Sequence, residues 1–309
     1  LALKFTTAEE RLAREQGVNI ALFGVFGIGK TWQASTLPPD STLFLDGEAG
    51  MLTLRDWPAD SLNIRDFARA NKAHPWEAAR ALACLLSGPQ PGASPSDPYG
   101  QVAYDAYVKA FGDPDPLFAK YETIFVDSIT EFSRHAFSWA QQQPEAFSEK
   151  TGKPDNRGAY GLLGREMVKW LSTLQHIRTK NVIVVGGLGE EKDDFGRITW
   201  APMIEGAKAG RELPGIFDCV ISLIRLNIDP ATKLPVMDNV KGEHKAFVCS
   251  QANPFGVPGK TRSGNLGVLE PPNLAALIAK MKNAPRLTQE PVIAPADPDE
   301  AQKETSNVA

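Results

Sequence analysis

The chain has 309 residues, 42% of them hydrophobic, with a formal net charge of −4 and a sequence pI near 5.7. That is apolar material for one large α/β domain or two small ones, and the charge excludes a protein that coats nucleic acid by bulk electrostatics. No apolar run approaches membrane-spanning length, and the opening L-A-L-K-F-T-T-A-E-E-R has no signal-peptide apolar segment. Three cysteines (Cys84, Cys219 and Cys249) lack C-x-x-C spacing and read as reduced core residues, so a cytoplasmic, non-membrane protein is expected.

In chain order, residues 7–16 suit a short charged helix and residues 19–23 an apolar strand. The strand leads into G-V-F-G-I-G-K-T at 24–31, and a helix over 31–37 follows until Pro38-Pro39 stops it. Strands are expected at 42–46 and 62–67, and a helix at 76–86. The run S-G-P-Q-P-G-A-S-P-S-D-P at 87–98 reads as a surface loop within an insertion over about 87–118. An apolar strand at 122–127 ends in an acid, and a helical stretch from Ser128 to Gln143 follows it. Residues 144–159 suit a polar loop, 160–179 an amphipathic helix, and 182–185, 219–226 and 246–250 three further strands. A last helix over 273–282 precedes an acidic, proline-rich tail at 284–309, expected to be disordered. That tail holds two basic and five acidic residues, which leaves the body before it close to neutral. Strands alternating with helices imply a mostly parallel sheet with its ligand at the strands' carboxyl ends.

The run at 24–31 is a complete G-x-x-x-x-G-K-[ST] phosphate loop in the strand–loop–helix setting it requires. Gly24, Gly27 and Gly29 let backbone N–H groups converge on one anion, and the following helix start adds partial positive charge. Lys30 can reach the β- and γ-phosphates, and the Thr31 hydroxyl can ligate Mg²⁺. With Trp32 these residues form the expected nucleotide set, for ATP and Mg²⁺. Asp127, ending its strand, is the expected acid for holding Mg²⁺ through water, or else a cap for the next helix. The four histidines have no metal-ligand spacing, so no zinc site is expected.

The stretch L-F-L-D-G-E-A-G at 43–50 and F-V-D-S-I-T-E-F at 125–132 resemble the RecA-like ATPases. Those proteins carry their water-activating glutamate in a hydrophobic-Asp-x-Glu sequence and their Mg²⁺ acid in a hydrophobic-Asp-Ser one. The resemblance makes Glu48 the catalytic base, with Glu131 a less well placed competitor. The phosphate loop, D-G-E-A-G, D-S-I-T, G-G-L-G-E-E-K at 186–192, P-M-I-E-G, L-P-G-I-F-D at 213–218 and G-K-T-R-S-G at 259–264 follow one another in order. Together they resemble the RecA-like nucleotide-binding proteins of bacteriophages, a group that includes ATP-binding single-strand annealing proteins.

The resemblance implies an N-terminal helical extension (1–17), a RecA-like P-loop ATPase domain (18–283) and the tail. It implies rings or filaments with ATP at subunit interfaces, where Lys260 and Arg262 would reach a neighbour's nucleotide. It also implies single-stranded DNA as partner in recombination or annealing, with a single-strand DNA-binding protein as a further one, in the host cytoplasm. Lys150, Lys153 and Arg157 in one segment, and Lys192, Arg197, Lys208 and Arg211 in another, are its DNA-contact candidates, with Trp200 or Tyr160 to stack on bases. Both segments also carry acids, which fits a merely solvated surface. The rival readings are a motor, helicase or packaging ATPase, and a nucleotide-gated assembly protein with little turnover.

Overall fold

The computed structural model describes residues 3, 5–13, 16–192, 196 and 198–283. The expected tail therefore lies outside the described residues. The strands are β1 (Asn19–Gly24), β2 (Thr42–Asp46), β3 (Asp60–Asn63), β4 (Thr123–Asp127), β5 (Asn181–Lys192), β6 (Ile198–Met203), β7 (Cys219–Ile228), β8 (Pro235–Met237), β9 (His244–Val248), β10 (Lys260–Thr261) and β11 (Leu269–Glu270). They make one sheet in the order β11-β9-β7-β1-β5-β4-β2-β3, with β6 on β5 and both β8 and β10 on β7. From β3 through β7 the neighbours on this path run parallel. Beyond β7 the pairing turns antiparallel.

The helices are α1 (Ala8–Ala13), α2 (Ile64–Ala70), α3 (Pro75–Ser87), α4 (Gln101–Phe111), α5 (Pro114–Phe118), α6 (Ile129–Ala140), α7 (Asn156–Gln175), α8 (Ala207–Ile216) and α9 (Leu274–Lys282). The central strands are apolar on both faces because both are covered. Alternate residues point to opposite sides. Ala21, Phe23, Ile124, Val126, Val182 and Val184 meet Trp76, Phe132 and Trp170 from α3, α6 and α7. Ile20, Leu22, Phe125, Ile183 and Val185 meet Ala34, Leu37, Leu274 and Leu277 on the other face. On the first face Trp170 lies 5.6 Å from Trp76 and 5.2 Å from Phe132, ring centre to ring centre.

Three local departures from the sequence reading have physical causes. The third strand ends at Asn63, whose side chain accepts from the Arg65 and Asp66 N–H groups at 3.0 and 3.1 Å and so starts α2. The segment Thr31–Thr36 is a 3-10 helix. There Ser35 and Thr36 donate to the Trp32 and Gln33 carbonyls at 2.7 Å each, competing with α-helical pairing ahead of the two prolines. The insertion over 87–118 is packed down: Tyr99 is fully buried, Asp97 pairs with Lys169, and Gln90 donates to Thr173 at 2.8 Å.

A buried ion pair fastens α3 to α7. Arg80 meets Glu166 at 3.0 Å, both side chains are nearly buried, Trp76 Nε1 donates to the same carboxylate at 2.9 Å, and Arg80 lies over the Trp139 ring. All three cysteines are free and buried, and burial pushes the Cys84 thiol up to about 11 and the Cys219 thiol to about 12. Removing one partner of a buried pair strands the other charge. Glu166→Ala should therefore lower unfolding free energy by about 3–5 kcal/mol in urea denaturation. A loss under about 1 kcal/mol would mean that the pair behaves as a surface one.

Candidate nucleotide-binding site

The parallel register sets the site's level. Asp46 of β2 pairs with Asp127 of β4, Asp127 with Val185 of β5, and Gly24 at the end of β1 with Gly187. The phosphate loop and both strand-end acids therefore open at the same, carboxyl edge of the sheet, with β5 between β1 and β4.

Within the loop, Gly27 and Gly29 take positive φ of 74° and 101°, values that disfavour any side chain. Gly24 is needed for a different reason: a Cβ there would lie 2.9 Å from Ile28 Cγ2 and 3.0 Å from the Leu223 carbonyl oxygen. Lys30 Nζ donates to the Gly24 and Val25 carbonyls at 2.9 and 3.1 Å and sits 5.6 Å from the centre of the exposed Phe26 ring. Burial lowers the Lys30 pKa, while Asp127 and then Glu48 pull it back up. Trp32 is half exposed in the first turn after Thr31. Because that turn is a short 3-10 segment, aligned helix dipoles contribute less here than an α-helix would.

Thr31 Oγ1 donates to Asp127 Oδ2 at 2.5 Å, joining the loop to β4 across the intervening strand. Asp127 is buried, and its carboxyl is pushed up to about 6. Burial is the main cause, Glu48 and Asp46 add to it, and the Thr31 hydrogen bond and Lys30 oppose it. Ser128 caps α6 through the Glu131 N–H, and its hydroxyl donates to Glu48 Oε1. Buried Asp46 fixes the turn that carries Glu48, accepting from the Glu48 and Gly50 N–H groups at 3.1 and 3.2 Å and from Asn63 Nδ2 at 3.1 Å. Glu131 is held in ion pairs with Arg65 at 2.8 Å and Arg134 at 3.1 Å, whereas the Glu48 carboxylate accepts from the neutral Ser128 hydroxyl.

The donors meeting at Thr31 and Asp127 are hard oxygens, suited to Mg²⁺ held by one or two protein groups plus phosphates. Among the described residues no three His, Cys, Asp or Glu side chains converge as a metal cage, and a site of that kind needs none.

Lys260 and Arg262 lie elsewhere. β10 pairs with Val220 and Cys219 at the amino end of β7, the opposite edge from the loop. Lys260 donates to the Pro214 and Phe217 carbonyls, and Arg262 pairs with Asp218 at 3.4 Å and the Gly215 carbonyl at 2.7 Å. They do not join the site of their own chain. Lys150 and Lys153 are exposed between α6 and α7, Arg157 is exposed in the first turn of α7, and Lys192 is exposed at the end of β5. Arg197 lies outside the described residues, and of Lys208 and Arg211 only the backbone, in α8, is described. Tyr160 stacks on Phe137 at 4.5 Å and Trp200 packs against the core, so each aromatic surface is partly used within the chain. Asp46, Asn63 and Ser128 were not singled out by sequence reasoning; only their place beside Glu48 and Asp127 in the motifs hinted at support for the acids.

An Asp127 carboxyl that holds its proton more tightly folded than unfolded makes the folded state lose stability as pH rises from about 4 to about 6. Nucleotide-free Asp127→Asn does not titrate there. In urea denaturation it should exceed the parent chain by about 1–3 kcal/mol above pH 7, with the advantage gone below about pH 4. A pH-independent difference would remove the shifted carboxyl from the explanation.

A family model described as an AAA domain matches residues 16–263. No curated protein matches the chain. Among solved structures, a KaiC-like protein from the hyperthermophilic archaeon Pyrococcus horikoshii OT3 aligns at 14% identity with a TM-score of 0.28, covering 75% of this chain and 85% of that one. A prototypical ATPase from the type III secretion system of pathogenic bacteria aligns at 15% identity with a TM-score of 0.33, covering 74% of this chain and 56% of that one. With its mostly parallel sheet flanked by helices, its complete phosphate loop and a family match over most of its length, the chain belongs to the AAA domain family.

Proposed function

We propose that this chain hydrolyses ATP with Mg²⁺, within a domain spanning 18–283, and couples that cycle to single-stranded DNA in phage recombination or strand annealing. The observation that carries the ATPase reading is the convergence of Thr31, Asp127 and Glu48 beside the phosphate loop. Gly24, Gly27, Gly29, Lys30, Thr31 and Trp32 bind the nucleotide, Lys30 through the terminal phosphates. Thr31 and Asp127 hold Mg²⁺, which when bound neutralises charge developing on the transferring phosphoryl group. Glu48, steadied by Ser128, orients the attacking water and accepts its proton. Lys260 and Arg262, on the far edge of their own sheet, act at the nucleotide of a neighbouring copy in a ring or filament.

The DNA reading is supported by the course of β5. The strand runs past the loop into a hairpin with β6, carrying Lys192 beyond the same edge as the nucleotide site. Lys150, Lys153 and Arg157 form a second exposed basic group. The body is otherwise near neutral, so binding rests on these local cations.

Glu48→Gln should bind ATP with near-unchanged affinity and release phosphate about 10²–10³-fold more slowly at saturating ATP and DNA. Unaltered phosphate release would favour a nucleotide-gated assembly protein over an enzyme. For DNA, four contacting cations give a slope near −3 in a plot of log affinity against log salt for a single strand. Replacing Lys150, Lys153 and Arg157 together by Ala should flatten that slope by about 2. No binding to single- or double-stranded DNA, with or without Mg·ATP, would remove DNA from the function.

A further inference from the structure

The antiparallel half of β7 brings to the phosphate loop two cations for which the motifs give no role. Arg225 and Lys245 are directly opposite each other in the β7–β9 register. Opposed residues leave the same face of a sheet. The preceding residues of that row, Leu223 and Phe247, pack in one cluster with Ile28 of the loop, so the pair lies on the loop's side of the sheet. Lys245 Nζ reaches to 3.1 Å from the point where a Cβ on Gly29 would stand.

Neither cation is neutralised where it sits. Arg225 Nε is buried without a hydrogen-bond partner, and among the described residues neither side chain forms an ion pair. Burial and then Arg225 itself lower the Lys245 pKa, the response of an ammonium beside another cation. Like charges placed opposite each other across two strands destabilise the pair. An anion on the adjoining loop would remove that cost.

The sheet order says which part of the anion. Thr31 faces Asp127 on the β5 and β4 side of β1, whereas Lys245 approaches from β9 on the other side. A polyphosphate whose terminal phosphate meets Lys30 and Thr31 passes Lys245 where the rest of it follows the loop back to Gly29. We propose that Lys245, with Arg225 behind it, binds the α- and β-phosphate portion of the nucleotide in its own chain, the part shared by nucleoside di- and triphosphates. This rests on the reading of residues 24–31 as the nucleotide site.

The test is titration of the full chain with fluorescently labelled ATP and ADP, in parallel for Lys245→Ala, Lys245→Arg, Arg225→Ala and Lys30→Ala. Lys245→Ala should raise Kd about tenfold for both nucleotides alike, and Lys245→Arg should restore most of the affinity. Lys245 is exposed, so its variants should keep the parent melting temperature; if Arg225→Ala does not fold, the two Lys245 variants decide the matter. Unchanged affinity in Lys245→Ala overturns the proposal, as does a loss confined to ATP, which would move the lysine to the γ-phosphate. Lys30→Ala that still binds both nucleotides overturns the loop as the site, an outcome separate from either result at Lys245.

Discussion

The hydrogen bond from Thr31 to Asp127 ties together two segments almost a hundred residues apart in sequence and two strands apart in the sheet. It can form only if β1 and β4 end at nearly the same level along β5, which the unbroken parallel register of the three strands provides. The apolar faces on both sides of those strands hold that register, because a one-residue slip would turn each inward side chain to the wrong layer. The same constraint sets the electrostatics: Asp127 is buried because the strands beside it are buried, and its proton affinity rises as a result.

Around that bond the acids are arranged by rank. Asp46, one strand further out, is spent on backbone N–H groups and Asn63, and so serves the turn instead of a ligand. Glu48, lifted clear of the sheet by that turn, is exposed, and its carboxylate accepts from Ser128. Glu131 begins α6 close by, but two arginines neutralise it. Of the carboxylates along this edge, the exposed one with a neutral hydroxyl as its partner is the one proposed to handle a proton.

Much of this was legible in the sequence, because a motif is a local object. The phosphate loop, Asp127 and Glu48 each sit within a few residues of a strand end, and apolar runs mark strand ends well. The third strand was misjudged because Asn63 ends it with a side-chain hydrogen bond that apolar alternation cannot register. The Thr31–Thr36 segment looked helical because its composition hides the competition of its own hydroxyls for the carbonyls. Arg225 and Lys245 were invisible for a stronger reason. Lys245 meets Gly29 from roughly two hundred residues away along the chain, brought there beside Arg225 by the pairing of β9 with β7, and nothing near either residue marks it. Lys260 and Arg262, by contrast, stood out as a motif, yet they lie at the other edge of the sheet from the loop.

The lengths of the strands beside β1 have a mechanical side. β1 stops at Gly24, while β5 continues to Lys192 and β7 to Ile228, each about five residues or about 17 Å further. Each overhang is stiffened by a partner, β6 on one side and β8 with β9 on the other. The short strand carrying the phosphate loop is thus clamped between two rigid arms that project past it. A load at either tip has a lever as long as the overhang, with its fulcrum at the hydrogen bonds to β1. Opening or closing the space above the loop then requires no hinge within the loop itself.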